Sequence, residues 1–286
     1  SGALALLLLP VLKAGRTVGS TVTLRRFSDL DQPLLKRLFA EAPGTYQHSM
    51  NVAYLAQAAG DAVFATPATI DMASLIIRDS ARIQAGDAKR KNRKRAQTGE
   101  VPVQPLYTEQ EAEDIIKCFR PVPYNKPVPV AAGIQARFVE AGHMLGSTSI
   151  ELTVNEDGRQ KRVVFSGDLG PRGVPMLHDF EPLRQADMVF LESTYGDRDH
   201  RPFDETVEEF TGIVQDAVAR GGRILIPTFA VGRAQLMTTL LGWMFRKNHL
   251  RPFPLFLDSP MAIEATNIYR KHAELFDEQM MKFIAE

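Results

Sequence analysis

Four short apolar runs in the second half of the chain each end in a polar residue, and they constrain the fold more than any other feature. The runs are Val163–Asp168, Met188–Glu192, Arg223–Thr228 and Leu255–Ser259. Continuous apolar runs of this length are typical of strands that are buried on both faces of a parallel sheet. Ligands of such sheets bind at the carboxyl ends of the strands. The pattern therefore predicts an enzyme site built from the residues at these ends, namely Asp168, Glu192, Thr228 and Asp258.

Helical and extended patterns elsewhere in the chain predict an α/β fold. Apolar residues at helical spacing predict helices over 29–39, 49–63, 70–84, 108–119, 203–220 and 232–247, with another after Pro260. Alternating patterns predict strands over 133–140, 149–154 and 162–165, and Glu156–Gly158 reads as the hairpin turn between the last two. Because strands alternate with helices from Met188 onward, we expect a layered α/β structure in that region.

Composition limits the class of protein without fixing its function. The chain has 286 residues and 44% hydrophobic content, enough for a substantial core. The single cysteine, Cys118, excludes an internal disulfide and fits a reducing compartment such as the cytoplasm. Formal net charge is zero, although Lys89–Arg95 contains six cations in seven positions. That run predicts either a solvated surface segment or a contact to phosphates.

An apolar segment near the start, Ala3–Leu12, has ten residues. A helix that spans a membrane needs about 20, so this chain is predicted to have no membrane segment. The same residues would form the end of a membrane helix if the protein began further upstream.

Three residues have the chemistry of a metal site. His143 lies between two glycines, Gly142 directly before it and Gly146 three positions after it. Asp168 follows a strand, and Glu192 follows the next strand. Imidazole and carboxylate groups are the usual ligands of catalytic zinc. Taken singly, a loop histidine and a strand-end aspartate are more often structural, the aspartate as a turn residue or a cap.

Five motifs in order give the segment from 64 to 286 a specific resemblance. They are EAGHMLGSTS at 140–149, FSGDLG at 165–170, ESTYGDR at 192–198, PTFAVGRAQ at 227–235 and DSPM at 258–261. The segment resembles the metallo-β-lactamase-fold ribonucleases of the β-CASP group. The resemblance implies a partial metallo-β-lactamase domain over 64–199 and the first part of a β-CASP domain, with a doubly wound parallel sheet, over 200–286.

The resemblance also implies roles for individual residues. His143 would be a zinc ligand, Asp168 would bridge two zinc ions, and Glu192 would orient or tune a histidine that donates a proton. The reaction implied is metal-assisted hydrolysis of RNA phosphodiesters, which makes RNA the expected partner; a homo-oligomer is a further possibility. Residues expected to contact the substrate are Arg198, His200, Arg233 and Ser259, with Tyr195 beside them, and for Arg233 a structural ion pair is an equal alternative.

Part of the family's metal site has no counterpart in this sequence. The principal motif, His-x-His-x-Asp-His, is absent, and the chain ends at Glu286, before the last expected ligand histidine. Only His143 and Asp168 correspond to zinc ligands, whereas a catalytic zinc normally has three protein ligands. The sequence therefore predicts weak or no nuclease activity for this chain by itself.

The first 63 residues resemble a different family. The segments FSDLDQPLL at 27–35 and EAPGTYQHSMNVAYL at 41–55 are similar to the start of the helical HD domain of seven-transmembrane cyclic-di-AMP phosphodiesterases. In that family His48 would be the first metal ligand. The chain is thus interpreted as two partial enzymes joined near residue 63. Alternatives to a zinc ribonuclease are a metal-free RNA-binding or assembly subunit and a cyclic-di-AMP phosphodiesterase fragment.

Overall fold

The computed structural model describes residues 62–156 and 158–285. The predicted helices at 29–39 and 49–61, the apolar segment Ala3–Leu12 and His48 lie outside these residues. Val63, which the sequence placed at a helix end, instead begins a strand. Within the described ranges no helix combines the length and apolarity that crossing a bilayer would require.

Two sheets and six α-helices form the described part of the chain. The strands are β1 (Val63–Ala65), β2 (Phe119–Pro121), β3 (Val128–Ala131), β4 (Ile134–Glu140), β5 (Thr148–Glu156), β6 (Arg159–Phe165) and β7 (Met188–Phe190). The helices are α1 (Pro67–Thr98), α2 (Glu109–Ile116), α3 (Phe203–Ala219), α4 (Arg233–Arg246), α5 (Pro260–Lys271) and α6 (Glu278–Ala285), with a 3₁₀ turn at Ala273–Leu275.

The larger sheet has the order β3-β4-β5-β6-β7 and is antiparallel except for its last pair, β6 and β7. The predicted hairpin is confirmed, because Glu156 pairs with Arg159 and Gly158 adopts a positive φ of 72°. Strands β1 and β2 pair separately and in parallel. Side chains of Ile134, Phe138 and Leu152 pack with Phe165 to form the main sheet core.

The predicted doubly wound parallel sheet is not present in the described residues. Neither Arg223–Thr228 nor Leu255–Ser259 forms a strand. Leu225 is 91% exposed and Phe256 is 85% exposed. A strand that is apolar on both faces requires neighbouring strands and covering helices, and no described strand lies beyond β7 to pair with these runs.

Helix α1 is longer than the sequence predicted. Thr66 caps its start by accepting a hydrogen bond from the Thr69 N–H, Pro67 occupies the first turn, and Gly99 ends it in the left-handed region. The helix runs through the basic stretch Lys89–Arg95, which was predicted to follow it. Charged side chains on exposed positions are compatible with helix, so nothing in that stretch ends α1.

Helix α2 begins at the predicted capping box. The Thr108 hydroxyl accepts from the Glu111 N–H, and the Glu111 carboxylate accepts from the Thr108 N–H at 2.7 Å. The helix ends at Ile116, earlier than predicted, because Phe119 already belongs to β2. Ile115 of α2 packs against Ile77 and Ala81 of α1.

The carboxyl-terminal helices pack against the start of α1 and against one another. Tyr269 of α5 and Phe276 share a buried cluster with Met72 of α1 and Leu145. A second cluster joins α3 to α4 through Val214, Leu241 and Met244. The predicted helices at 203–220, 232–247 and after Pro260 are confirmed as α3, α4 and α5.

Candidate active site at one edge of the sheet

The loop between β4 and β5 presents His143 to solvent. Gly142 and Gly146 have positive φ values of 64° and 86°, which an L side chain rarely adopts. The Ser147 hydroxyl accepts hydrogen bonds from the N–H groups of His143 and Met144, at 3.1 and 3.2 Å. The loop is therefore held by its own backbone, and the His143 side chain remains exposed.

A half-buried carboxylate lies under this loop. Glu140 Oε1 accepts a hydrogen bond from the Gly142 N–H at 2.8 Å. Burial raises the pKa of the Glu140 carboxyl, although hydrogen bonds from the Gly142 and Ala141 N–H groups act in the opposite direction. Glu140 thus stabilises the backbone that carries His143.

The loop after β6 brings Asp168 to the same edge. The Gly170 N–H donates to the Ala141 carbonyl at 2.8 Å. A Cβ atom on Gly170 would lie 1.7 Å from the Gly142 carbonyl oxygen, so only glycine permits this approach. Asp168, two residues before Gly170, is exposed beside the His143 loop.

Glu192, which follows β7, holds the Asp168 loop through a hydrogen bond. Its Oε1 accepts from the Leu169 N–H and its Oε2 from the Thr194 hydroxyl, both at 2.7 Å. Partial burial raises the pKa of the Glu192 carboxyl, but hydrogen bonds from Thr194 and Leu169 outweigh it, and positive charge on His143 adds to them. The net pKa is below the usual value, so Glu192 is a carboxylate that faces His143 near neutral pH.

Ser166 connects the ends of β5, β6 and β7. Its carbonyl accepts from the Ser149 hydroxyl at 2.7 Å, its N–H donates to the Phe190 carbonyl, and its hydroxyl accepts from the Glu192 N–H at 3.0 Å. The sequence assigned Ser166 no role. Its position in a Phe-Ser-Gly-Asp run, where a small polar residue ends a strand, is the signal that could have identified it.

Helix α4 begins against the same loop. A Cβ atom on Gly232 would lie 3.9 Å from Cβ of Met144, which neighbours His143. Arg233, the first residue of α4, is exposed, and no ion pair to it occurs in the described ranges. The structural ion pair that was the alternative for Arg233 is therefore not observed there.

The buried Gln235 fixes where α4 starts, a role that the sequence did not reveal. Its Oε1 accepts from the Gly232 N–H at 2.8 Å. Its Nε2 donates to the carbonyls of Ala230 and Ala262 and to the Thr266 hydroxyl. Gln235 is 3% exposed and thereby ties the first turn of α4 to α5. The Gly-x-x-Gln spacing, which resembles a capping box, is the available sequence signal.

Within the described residues, the remaining candidates for substrate contact form no hydrogen bond or ion pair with the loops of His143 and Asp168. Arg198 forms a two-pronged ion pair with its exposed neighbour Asp197. The His200 ring packs against Tyr195 at a tilt of 48°, with ring centroids 4.0 Å apart. The Ser259 hydroxyl caps α5 by accepting from the Ala262 N–H at 3.2 Å. Each of these groups thus has a local structural partner.

Residues 234–286 match the Beta-Casp domain. The chain is 32% identical over 219 residues to the ribonuclease TTHA0252 of Thermus thermophilus, an alignment that covers 76% of this chain and 45% of the relative. The chain is thus similar to a ribonuclease over most of its length and to the Beta-Casp domain over its last 53 residues. It is also 32% identical over 167 residues to an RNase J-like protein of Methanocaldococcus jannaschii, covering 57% of this chain and 38% of that protein.

A eukaryotic relative shows the same similarity at lower identity. Cleavage and polyadenylation specificity factor 73 of Drosophila melanogaster is 28% identical over 184 residues, which cover 64% of this chain and 26% of that protein. The chain spans less than half the length of each of these β-CASP relatives. The comparisons give no support to the HD-like interpretation of residues 1–63.

The donor set at the sheet edge does not fit the zinc centre implied by the β-CASP resemblance. Nowhere in 62–156 or 158–285 do three His, Cys, Asp or Glu side chains gather in a group that could hold a metal ion. His143 and Asp168 are the two candidate ligands, and both carboxylate oxygens of Glu192 are already hydrogen-bonded. Two ligands are fewer than the three that catalytic zinc normally has.

Proposed function

We propose that this chain is part of a ribonuclease of the β-CASP type, which hydrolyses RNA phosphodiesters. The observation that carries the proposal is the backbone contact between Gly170 and Gly142, which brings the loops of Asp168 and His143 together at the ends of β6 and β4. Similarity to proteins that are named ribonucleases and endoribonucleases supports it. His143 and Asp168 are the proposed metal ligands, and further ligands would have to come from outside the described residues.

In this proposal the described residues bind and orient the RNA. Arg233 extends from the first turn of α4, where N–H groups without helical partners favour an anion. A phosphate held there would lie beside Met144 and the exposed His143. Glu192 is a positioning residue, because its carboxylate accepts the Leu169 N–H in the loop of Asp168 rather than contacting the substrate.

The test combines RNA cleavage with zinc analysis of the whole chain. His143→Ala and Asp168→Asn are each expected to abolish cleavage and to reduce bound zinc. Asp216→Asn, which removes an exposed carboxylate of α3, is the matched control and should cleave like the parent. If the parent chain cleaves RNA and neither site variant changes the rate, the proposed site is wrong.

The incomplete donor set favours a second candidate, an RNA-binding or assembly subunit without metal. It predicts RNA binding in the presence of a chelator, no cleavage, and no change of affinity in His143→Ala or Asp168→Ala. Cleavage that depends on these residues would exclude it. The cyclic-di-AMP phosphodiesterase alternative depends on His48, and loss of that turnover in His48→Ala would be required to support it.

A further inference from the structure

The amino half of α1 packs in the core, whereas its carboxyl half bears the basic run Lys89–Arg95. Its six cations are concentrated in a chain whose net charge is zero. Because α1 continues without a break to Thr98, these side chains have fixed directions on a helix. What they can bind is therefore decided by which of them face solvent and which are already paired.

One face of this part of α1 is covered by the chain that returns from Gly99. Asn92 both donates to and accepts from the backbone of Val103, at 2.9 and 2.7 Å. Arg95 Nε donates to the Val101 carbonyl at 2.7 Å, and Gln84 accepts from the Leu106 N–H at 3.1 Å. These three side chains lie within an arc of about 80°, at about 100° per residue. Their contacts hold the helix so that it cannot rotate.

The opposite arc carries four of the six cations. At about 100° per residue, Lys89, Arg90, Arg93 and Lys94 lie within an arc of about 140° that faces away from the returning segment. Arg90 pairs with Asp87. Lys89, Arg93 and Lys94 are exposed, and none of them has an ion pair within the described ranges. We call these three residues the cationic face.

A row of unpaired cations on a rigid helix has the character of a surface for a polyanion. Lys89 and Arg93 are separated by about 6 Å along the helix axis, and Lys94 follows within about 1.5 Å more. Flexible charged tails bind polyanions too, but here the backbone that carries the cations is already ordered, so that only their side chains lose freedom on binding. The surface is suited to several successive phosphates of one strand.

The distance between the cationic face and the candidate active site determines how long an RNA must be to reach both. The hydroxyls of Thr66 and Thr69, at the start of α1, donate to the Gly146 carbonyl in the loop of His143. From Pro67 to Lys89 a helix rises about 33 Å. At a rise of about 3.4 Å per nucleotide, a stacked strand needs about 10 nucleotides to cover that distance.

We propose that the cationic face of α1 binds the phosphate backbone of RNA distant from the cleavage position. The inference rests on the proposed function in one respect, namely that RNA is the polyanion. It adds a second binding surface and a minimum substrate length of about 10 nucleotides. The face has no groups arranged for reading bases, so it contributes affinity without sequence preference.

The test measures RNA binding by the whole chain in a chelator, where binding is separated from cleavage. The variant Lys89→Gln/Arg93→Gln/Lys94→Gln is compared with the parent on single-stranded RNAs of about 20 and about 6 nucleotides, because only the longer one exceeds the estimated span. Circular dichroism checks that the variant is folded. The matched control, Lys126→Gln/Arg159→Gln/Arg251→Gln, removes three exposed cations that have no recorded ion pair.

The expected result is a change in salt dependence for the long RNA. Loss of three phosphate contacts reduces the slope of log K against log salt concentration by about 2. When salt is raised from about 50 to about 200 mM, the affinity of the variant should therefore fall by a factor roughly 16-fold smaller than that of the parent. Binding of the short RNA and all binding by the control variant should stay close to the parent.

Three results would overturn the inference. They are an unchanged slope for the long RNA, an equal change in the control variant, and an equal change for the short RNA. Preferential binding of vesicles containing phosphatidylserine over RNA, lost in the same variant, would assign the face to a membrane surface and would also overturn it. A chain that fails to cleave RNA but shows the expected slopes would contradict the hydrolytic proposal alone.

Discussion

The sheet of residues 128–190 and the segment 200–285 contain apolar runs of similar length, but only the runs in the sheet form strands. Phe165, in the run that forms β6, is 6% exposed and stacks on Phe190 with ring centroids 4.7 Å apart. Phe256, in the later run, is 85% exposed. Each strand from β3 to β6 has its neighbour in the next segment of chain, whereas the later runs have helices on both sides. An apolar run becomes a strand only where a partner strand is within reach.

The largest expected effect comes from the glycine at which two loops of the first region touch. In Gly170→Ala the added Cβ would overlap the Gly142 carbonyl, so we expect a loss of about 4 kcal/mol or more of unfolding free energy, or separation of the two loops. Chemical denaturation measures the free energy. Gly212→Ala in α3, where no atom lies within 4 Å of the added Cβ, should be neutral or stabilising by up to about 1 kcal/mol.

Truncation of one phenylalanine in each region tests whether the run in the sheet is buried while the later run is exposed. Phe165→Ala should cost about 3–5 kcal/mol, because it opens a cavity in the sheet core. Phe256→Ala should change stability by less than about 0.5 kcal/mol, since its ring is in solvent. Equal losses in denaturation experiments would mean that the run around Phe256 is buried in solution, and the difference between the regions would disappear.

A charged cluster joins α1 to the segment 200–285, and its removal should have an intermediate effect. The Asp71 carboxylate of α1 accepts from Lys271 Nζ at 2.7 Å and from the buried His272 Nε2 at 2.6 Å. Partial burial raises the pKa of Asp71, but the hydrogen bonds and charges of Lys271 and His272 lower it by more. Asp71→Asn should therefore cost about 1–2 kcal/mol at neutral pH.

The pH dependence of this effect has a defined sign. Because the folded pKa of Asp71 lies below the unfolded one, its contribution is complete above the unfolded pKa of about 4 and is lost as pH falls through the folded pKa. The parent and Asp71→Asn should converge in stability below about pH 4. Curves that stay parallel down to acid pH would show that Asp71 does not stabilise the fold through its charge.

The smallest effects concern two helix caps, one at the start of α2 and one at the start of α5 in the segment 200–285. Thr108→Ala and Ser259→Ala each remove a hydroxyl that accepts from a first-turn N–H, and each should cost about 1 kcal/mol. Thermal unfolding measures both. If Ser259→Ala also weakens RNA binding by tenfold while Thr108→Ala does not, Ser259 contacts substrate in addition to capping α5.

Local sequence patterns were sufficient to predict a structural element when its conformation depends on residues close to it in the chain. The hairpin at Gly158, the capping box at Thr108 and the helix ending near Gly221 follow from turn and cap chemistry over a few residues. The site was predictable to the extent that strand ends gather their polar residues: the loops of His143 and Asp168 do touch, and Glu192 fastens the second of them. Their roles as ligands stay predictions.

Other features depend on partners far away in the sequence. The Gly170 contact to the Gly142 loop, the ties of Gln235 to α5 and the fixed rotation of α1 by the segment after Gly99 all join residues that no short pattern connects. The exposure of Leu225 and Phe256 has the same origin, since burial depends on neighbours that the local sequence does not contain.

The sequence by itself determined where most of the described helices lie, the hairpin at Gly158, the resemblance to β-CASP ribonucleases and the absence of the His-x-His-x-Asp-His motif, because propensity, capping and residue identity are local properties. Only the tertiary structure decided which apolar runs become strands, which strand ends meet, and which cations of Lys89–Arg95 are unpaired and exposed. These depend on packing between distant segments, where burial and hydrogen bonding act on the whole fold at once.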